Sequence, residues 1–358
     1  MDQRLSTLAY MLPDGIDAAL IISNENRRYF TDFVSSLGYL LVTRKESYLL
    51  VDSRYEEAAK NQAKNCKVVP FKRLRDALCD IINSETLKNI LLEGSAFTLN
   101  NASETDQLIS STGASLIKNR QLDELINKMR IIKTADEIEK MRKAQRITED
   151  ALSETLKLIK EGVSERELAL ELEFRMRRAG ADGVSFDLIV LSGETTSMPH
   201  GVPSNHKVSF GDFVLFDIGA TVDGYHSDMT RTYAYGKADA SMKRVYDTVL
   251  SAQLRGIEAV KSGVTCAEVD MAARNFIDQA GFQGYFGHST GHGVGLEIHE
   301  APSVSPGNNF VLQSGMVVTV EPGIYLAGKF GVRIEDMVVV TQDGCINLAA
   351  LPKELIVL

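Results

Sequence analysis

The chain has 358 residues, 44% hydrophobic and 24% charged, with a formal net charge of −9. That length accommodates two domains with separate cores, and the composition is that of an ordinary globular protein. The negative balance without a basic stripe excludes non-specific nucleic-acid binding. No apolar run approaches the ~18 residues of a membrane span, and the start MDQRLSTLAYMLPDG has no secretory pattern.

In the first ~125 residues, short apolar runs alternate with stretches of helical spacing. AALIIS (18–23), GYLLVT (38–43), SYLLVD (47–52) and NILLEG (89–94) read as buried strands. SRYEEAAKNQAKN and FKRLRDALCDII read as the helices between them. The alternation predicts a small α/β domain with a mixed sheet over residues 1–130. It contains no histidine.

A long helix is predicted next, opened by the capping box Thr134/Glu137, and it begins a second domain of residues 131–358. Within that domain, KEGVSERELALELEFRMRRAGADG (160–183) aligns without gaps to KSGVTCAEVDMAARNFIDQAGFQG (261–284), with seven identities in 24 positions. Ser164/Glu167 and Thr265/Glu268 are capping boxes in both copies, and each ends in Ala-Gly, a helix-stop signal. Two related α+β halves are expected. Their strands are DLIVLSG and DFVLFDIGA in the first, MVVTVEPGIYL and VRIEDMVVVT in the second.

These strands hold acids where a purely structural strand would not. Asp217 interrupts FVLFDIGA, and Asp228 follows eleven residues later. A buried carboxylate costs several kcal/mol unless paired or metal-bound. Val222-Asp223-Gly224 reads as a hairpin turn that brings Asp217 and Asp228 face to face. Glu321 and Glu335 repeat the arrangement around a turn near Ala327, Gly328 and Gly331, and Arg333 shares the face of Glu335. Two acids per half plus one imidazole make an oxygen-rich cage suited to two divalent ions such as Mn²⁺ or Co²⁺.

All six histidines lie between His200 and His299. GHSTGHGVGLEIHE gathers His288, His292 and His299 among glycines, which let backbone approach a site closely. His206 and His226 read as ordinary loop histidines. HEAPS is not a zinc HExxH motif, because Ser303 stands at its last position. Cys66, Cys79, Cys266 and Cys345 have no CxxC spacing, which suggests free thiols in a cytoplasmic protein.

The set LFDIGA, GYHSDMTRT, STGHGVGLEIHE, VEPGIY and VRIEDMV resembles the pita-bread metallopeptidase family, over residues ~135–358. That family includes methionine aminopeptidase, aminopeptidase P, prolidase and creatinase, and the preceding domain is similar to the creatinase/prolidase-type N-terminal domain. The resemblance implies a pita-bread catalytic domain with an internal pseudo-twofold repeat. It also implies two divalent ions, with Mn²⁺ expected first and Co²⁺ or Zn²⁺ compatible. Asp217 would chelate one ion, Asp228 and Glu335 would bridge both, and His292 and Glu321 would complete the other. Glu321 would act as acid/base, and His200, His288 and His299 match substrate-facing histidines. Arg333 matches an arginine beside the bridging glutamate.

The activity so implied is hydrolysis of the Xaa-Pro bond of proline-containing peptides, by a chain that forms homodimers. A dipeptidase must bind its substrate's terminal carboxylate, usually through a cation. HEAPSVSP is followed by no basic residue until Lys329, so the expectation leans to an Xaa-Pro aminopeptidase, with Xaa-Pro dipeptidase as the alternative. Methionine aminopeptidase, a creatinase-like hydrolase and a non-catalytic peptide-binding module are remoter readings.

Overall fold

The computed structural model describes residues 3–358, and the chain falls into two compact units, Met1–Arg130 and Ile131–Leu358. The first is built on a mixed six-stranded sheet. Its spatial order is Lys67–Phe71, Ser47–Asp52, Tyr39–Thr43, Ala18–Ile21, Asn89–Leu92 and Ser115–Ile117. The four strands expected from apolar runs are its centre, and every residue of Ala18–Ile21 is buried, as a strand covered on both faces requires. The two edge strands escape sequence reading for physical reasons. Lys67–Phe71 contains Pro70, which an edge tolerates, and Ser115–Ile117 is too short to show a period.

In the second unit, Thr134 caps the helix Ala135–Leu156, and its capping box with Glu137 is formed. The capping boxes at Ser164 and Thr265 open the helices Glu165–Arg178 and Cys266–Ile277. The repeat extends into the backbone pairing. Gly162 N–H donates to Val208 O in one half, and Gly263 N–H to Leu312 O in the other, both at 2.9 Å. Likewise Glu165 N–H reaches His206 O, and Cys266 N–H reaches Phe310 O. The copies differ at their ends. The first helix stops before Gly180 (φ 99°), whereas the second runs on into a π-helical turn, Asp278–Phe282, around Gly281.

Strand periodicity then aims the acids. In Phe213–Ile218, Val214, Phe216 and Ile218 pack with Leu168, Leu172 and Met176 of the first repeat helix. Asp217 therefore points to the opposite face. In Val317–Val320 and Asp336–Val340, Val318, Val320, Val338 and Val340 pack with Val260 and Val269 of the second half. Thr319 and, just past the strand ends, Glu321 and Glu335 fall on the other face. Each half thus turns an apolar face to its helices and an acidic face inward.

Two expected strands are broken. MVVTVEPGIYL divides into Val317–Val320 and Gly323–Leu326, and VRIEDMVVVT into Phe330–Arg333 and Asp336–Val340. Both breaks fall at the glutamates. Ladder pairs Val320↔Asp336 and Gly323↔Arg333 bracket Glu321 and Glu335, which stand opposite one another in the gap.

Candidate metal centre and substrate cavity

Asp217 pairs with Thr230 between the antiparallel strands Phe213–Ile218 and Met229–Ala234. Asp228, one residue before the second strand, therefore lies diagonal to Asp217 on the same face rather than directly opposite. The turn lies at Asp223-Gly224, both with positive φ, between the paired Val222 and Tyr225. Across the other half, Asp228, His292 and Glu335 bring ligand atoms within 4.8 Å of one another. His292 Nε2 lies 3.5 Å from Asp228 Oδ2 and 3.3 Å from Glu321 Oε1. Asp217, Asp228, His292, Glu321 and Glu335 all line one cavity of about 400 Å³.

The cluster is short of positive charge. Burial, then the charges of Asp217 and Glu321, raises the Asp228 carboxyl well above the carboxylate range. Burial, then Asp228, Glu321 and Asp217, does the same to Glu335. Burial pushes Glu321 up to about 8, with Arg333 opposing and Asp217 adding to the shift. Burial lowers His292 to about 4, so the ring is neutral. Its Nδ1 hydrogen-bonds to Gly293 O at 3.0 Å, which leaves the Nε2 lone pair facing the carboxylates. Four acids, one correctly presented imidazole and a single guanidinium fit divalent cations, because only added positive charge relieves such a cluster.

Arg333 is buried and extends its fork through the site. It hydrogen-bonds to Asp217 Oδ2, Thr230 Oγ1 (3.2 Å) and Tyr325 OH (2.6 Å). Thr230 Oγ1 in turn donates a hydrogen bond to Glu335 Oε2 at 2.6 Å. Tyr325 OH is 2.9 Å from His288 Nε2, and Nδ1 of that ring meets Ser289 O. His288 Nδ1 also lies 3.9 Å from Glu321 Oε2, and Arg333 reaches the site through Asp217 and Thr230. Burial, then Arg333, lowers His288 to about 4.

His200 and His299 do line the cavity, and both are exposed. The His299 ring stands 4.3 Å from that of His292, centroid to centroid. Its loop is held by the buried ion pair of Lys133 with the adjacent Glu300 (3.1 Å) and by His226 N–H, which donates to Gly295 O. His226, in the strand Tyr225–His226, also places its side-chain Nε2 3.2 Å from Leu296 O. Phe186, Leu188, Ile189, Val202 and Ile298 form the apolar wall, with Asp187 beside them. Sequence reading missed Thr230, Thr319 and Tyr325. Thr319 accepts from His292 N–H and donates to Glu321 Oε1. Thr230 and Tyr325 sit within the quoted motifs and Thr319 directly precedes VEPGIY, but a hydroxyl in a strand carries no sequence signal of its own.

Residues 139–342 match metallopeptidase family M24, and residues 4–132 match the creatinase/prolidase N-terminal domain. The chain belongs to metallopeptidase family M24. Membership makes it a hydrolase that depends on divalent metal, with the pita-bread fold of its structural neighbours. Among M24 relatives, the Xaa-Pro dipeptidase of Pyrococcus furiosus is 39% identical, covering 99% of this chain and 100% of its own. The solved Xaa-Pro dipeptidase from Bacillus anthracis superposes with a TM-score of 0.93 at 40% identity, over 99% of this chain and 98% of that one. The X-Pro aminopeptidase from Thermotoga maritima gives 0.91 at 38%, over 96% and 98%. Among the described residues, no helix is long and apolar enough to cross a membrane.

Proposed function

We propose that this protein is a dinuclear Xaa-Pro dipeptidase, with Asp217, Asp228, His292, Glu321 and Glu335 holding two divalent ions, Mn²⁺ first among them. The observation that carries the dipeptidase reading is full-length similarity to the Pyrococcus and Bacillus dipeptidases, joined to a cavity that converges on those five side chains. It displaces the lean toward an aminopeptidase drawn from HEAPSVSP. When bound, the ions supply Lewis acidity toward the scissile carbonyl and lower the pKa of water.

The chain's own groups do the rest. Glu321 stands at the cavity, placed to accept a proton from water and return it to the departing proline nitrogen. His299 and His200, on the same lining, donate to the charge that develops on the carbonyl oxygen. The apolar wall takes the pyrrolidine ring and excludes water. Arg333 and Thr230 orient Asp217 and Glu335, and Tyr325 braces Arg333 against His288.

A second reading, Xaa-Pro aminopeptidase, is favoured by one observation: among the described residues, no lysine or arginine lines the cavity. A dipeptide's carboxylate would have to be met by His200, His299 or backbone N–H groups. Kinetics on an Xaa-Pro dipeptide and the matched Xaa-Pro-Xaa tripeptide, at equal Mn²⁺ loading, separate the two. A dipeptide kcat/KM well above the tripeptide's is expected, and the reverse order makes this an aminopeptidase.

A further inference from the structure

Segment 192–204 supplies His200, Gly201, Val202 and Pro203 to the cavity, and its tip is open to solvent, with Met198 49% and Val202 79% exposed. Both roots of the segment end on one side chain. Glu165, the first residue of the helix Glu165–Arg178, is 1% exposed. Its Oε1 accepts from Ser192 N–H at 2.8 Å and from Thr195 Oγ1. Its Oε2 accepts from Ser204 N–H at 3.0 Å and Ser204 Oγ at 2.8 Å. Further along, Thr196 Oγ1 accepts from Gly331 N–H at 2.8 Å, two residues from Arg333.

The repeat provides an internal control. In the second half the same helix start, with the same capping box and the same backbone pairing to the incoming strand, has buried Cys266 where the first has Glu165. The scaffold therefore forms without a carboxylate at this position. In the first half the segment anchored on this side chain is the one that carries His200. A buried carboxylate satisfied by uncharged donors is costly to place, and its four acceptor contacts join residues twelve apart in sequence.

We propose that Glu165 is a positioning residue for substrate binding: it draws the two roots of segment 192–204 together and so sets His200 and Val202 against the cavity. This rests on reading the cavity as the Xaa-Pro substrate site. Because Glu165 bonds to none of the five proposed ligand side chains, it acts on substrate and not on metal.

The test uses the full-length, Mn²⁺-loaded protein. Glu165→Ala should lower kcat/KM about tenfold or more, in kcat through His200 and in KM through Val202, since a ~1 Å misplacement of a positioning group can cost on the order of 10². Mn²⁺ affinity by calorimetry should stay unchanged. Amide exchange should quicken across 192–204 and not in strand Phe213–Ile218. Glu165→Gln, which keeps one acceptor oxygen, should fall between Ala and wild type. Cys266→Ala supplies the structural comparison and should leave kcat/KM intact whatever it does to Tm.

If Glu165→Ala fails to fold, Glu165→Gln and Ser204→Ala carry the same comparison. Unchanged kcat/KM in the folded Glu165 variants overturns the proposal. So does an equal loss in Cys266→Ala at matched Tm. A wild-type enzyme with no Xaa-Pro cleavage would sink the functional reading instead, before any variant is compared.

Discussion

His292 and His299 lie side by side, yet their surroundings give them different work. His292 has its Nδ1 fixed on Gly293 O and its Nε2 among carboxylates, whereas His299 is exposed at the cavity. His292→Ala should therefore lose bound Mn²⁺, as measured by elemental analysis. His299→Ala should keep its metal and lose ~10²–10³ in kcat, the usual effect of removing one preorganised donor. Exchange of the two phenotypes would exchange the roles. Thr230 offers a finer probe, because its hydroxyl relays Arg333 to Glu335. Thr230→Val keeps the shape and removes the relay, so Mn²⁺ affinity should fall roughly 10–100-fold, the range for partners that orient metal ligands. Affinity unchanged by calorimetry would show that Glu335 needs no such support.

At the scale of elements, the site depends on strands that approach closely and then break. A Cβ at Gly291 would stand 2.0 Å from Thr319 O, the residue whose hydroxyl accepts from His292 N–H. Gly291→Ala must push these strands apart. It should cost about 1–3 kcal/mol, typical of an overpacked core, and weaken Mn²⁺ binding at the same time. Thermal melts with and without Mn²⁺ test this. A loss of Tm with metal affinity intact would mean that the strand spacing does not set His292. The breaks at Glu321 and Glu335 act differently: leaving the ladder there lets both acids turn into the site from opposite strands.

For the molecule as a whole, the buried charge links stability, pH and metal. Glu321 has a pKa of about 8 against an ordinary 4.5, and Asp228 and Glu335 shift in the same direction. Between those values the native state holds more protons than the unfolded chain, so these groups make stability fall as pH rises. His288 and His292, at about 4 against 6.5, act oppositely, and their contribution is complete above pH 6.5. The metal-free protein should therefore lose Tm between pH 6.5 and 8, where only the carboxylates still act. Divalent ions replace those protons. Mn²⁺ at a hundred times its Kd should restore about 2.7 kcal/mol, and buffer-dependent calorimetry should detect proton release on binding. A chelated protein that grows more stable across that window would contradict the assignment of these shifts.

Much of this was legible in the sequence because it is local. Capping boxes, the repeat, the central strands and the four acids interrupting apolar runs each depend on neighbours a few residues away. So does the turn at Asp223-Gly224. The edge strand through Pro70 and the divided strands at Glu321 and Glu335 were not legible, because edge position and ladder breaks are properties of the sheet. The same holds for function within the site. The sequence by itself determined which acids and histidines are unusual, since a charge in an apolar strand is conspicuous wherever it lies. Only the tertiary structure decided that His288 meets Tyr325, that Thr230 joins Arg333 to Glu335, and that Glu165 gathers both roots of segment 192–204. Those are contacts between residues tens to a hundred positions apart, and hydrogen-bond geometry at that range exists only once the two halves have folded onto a common face.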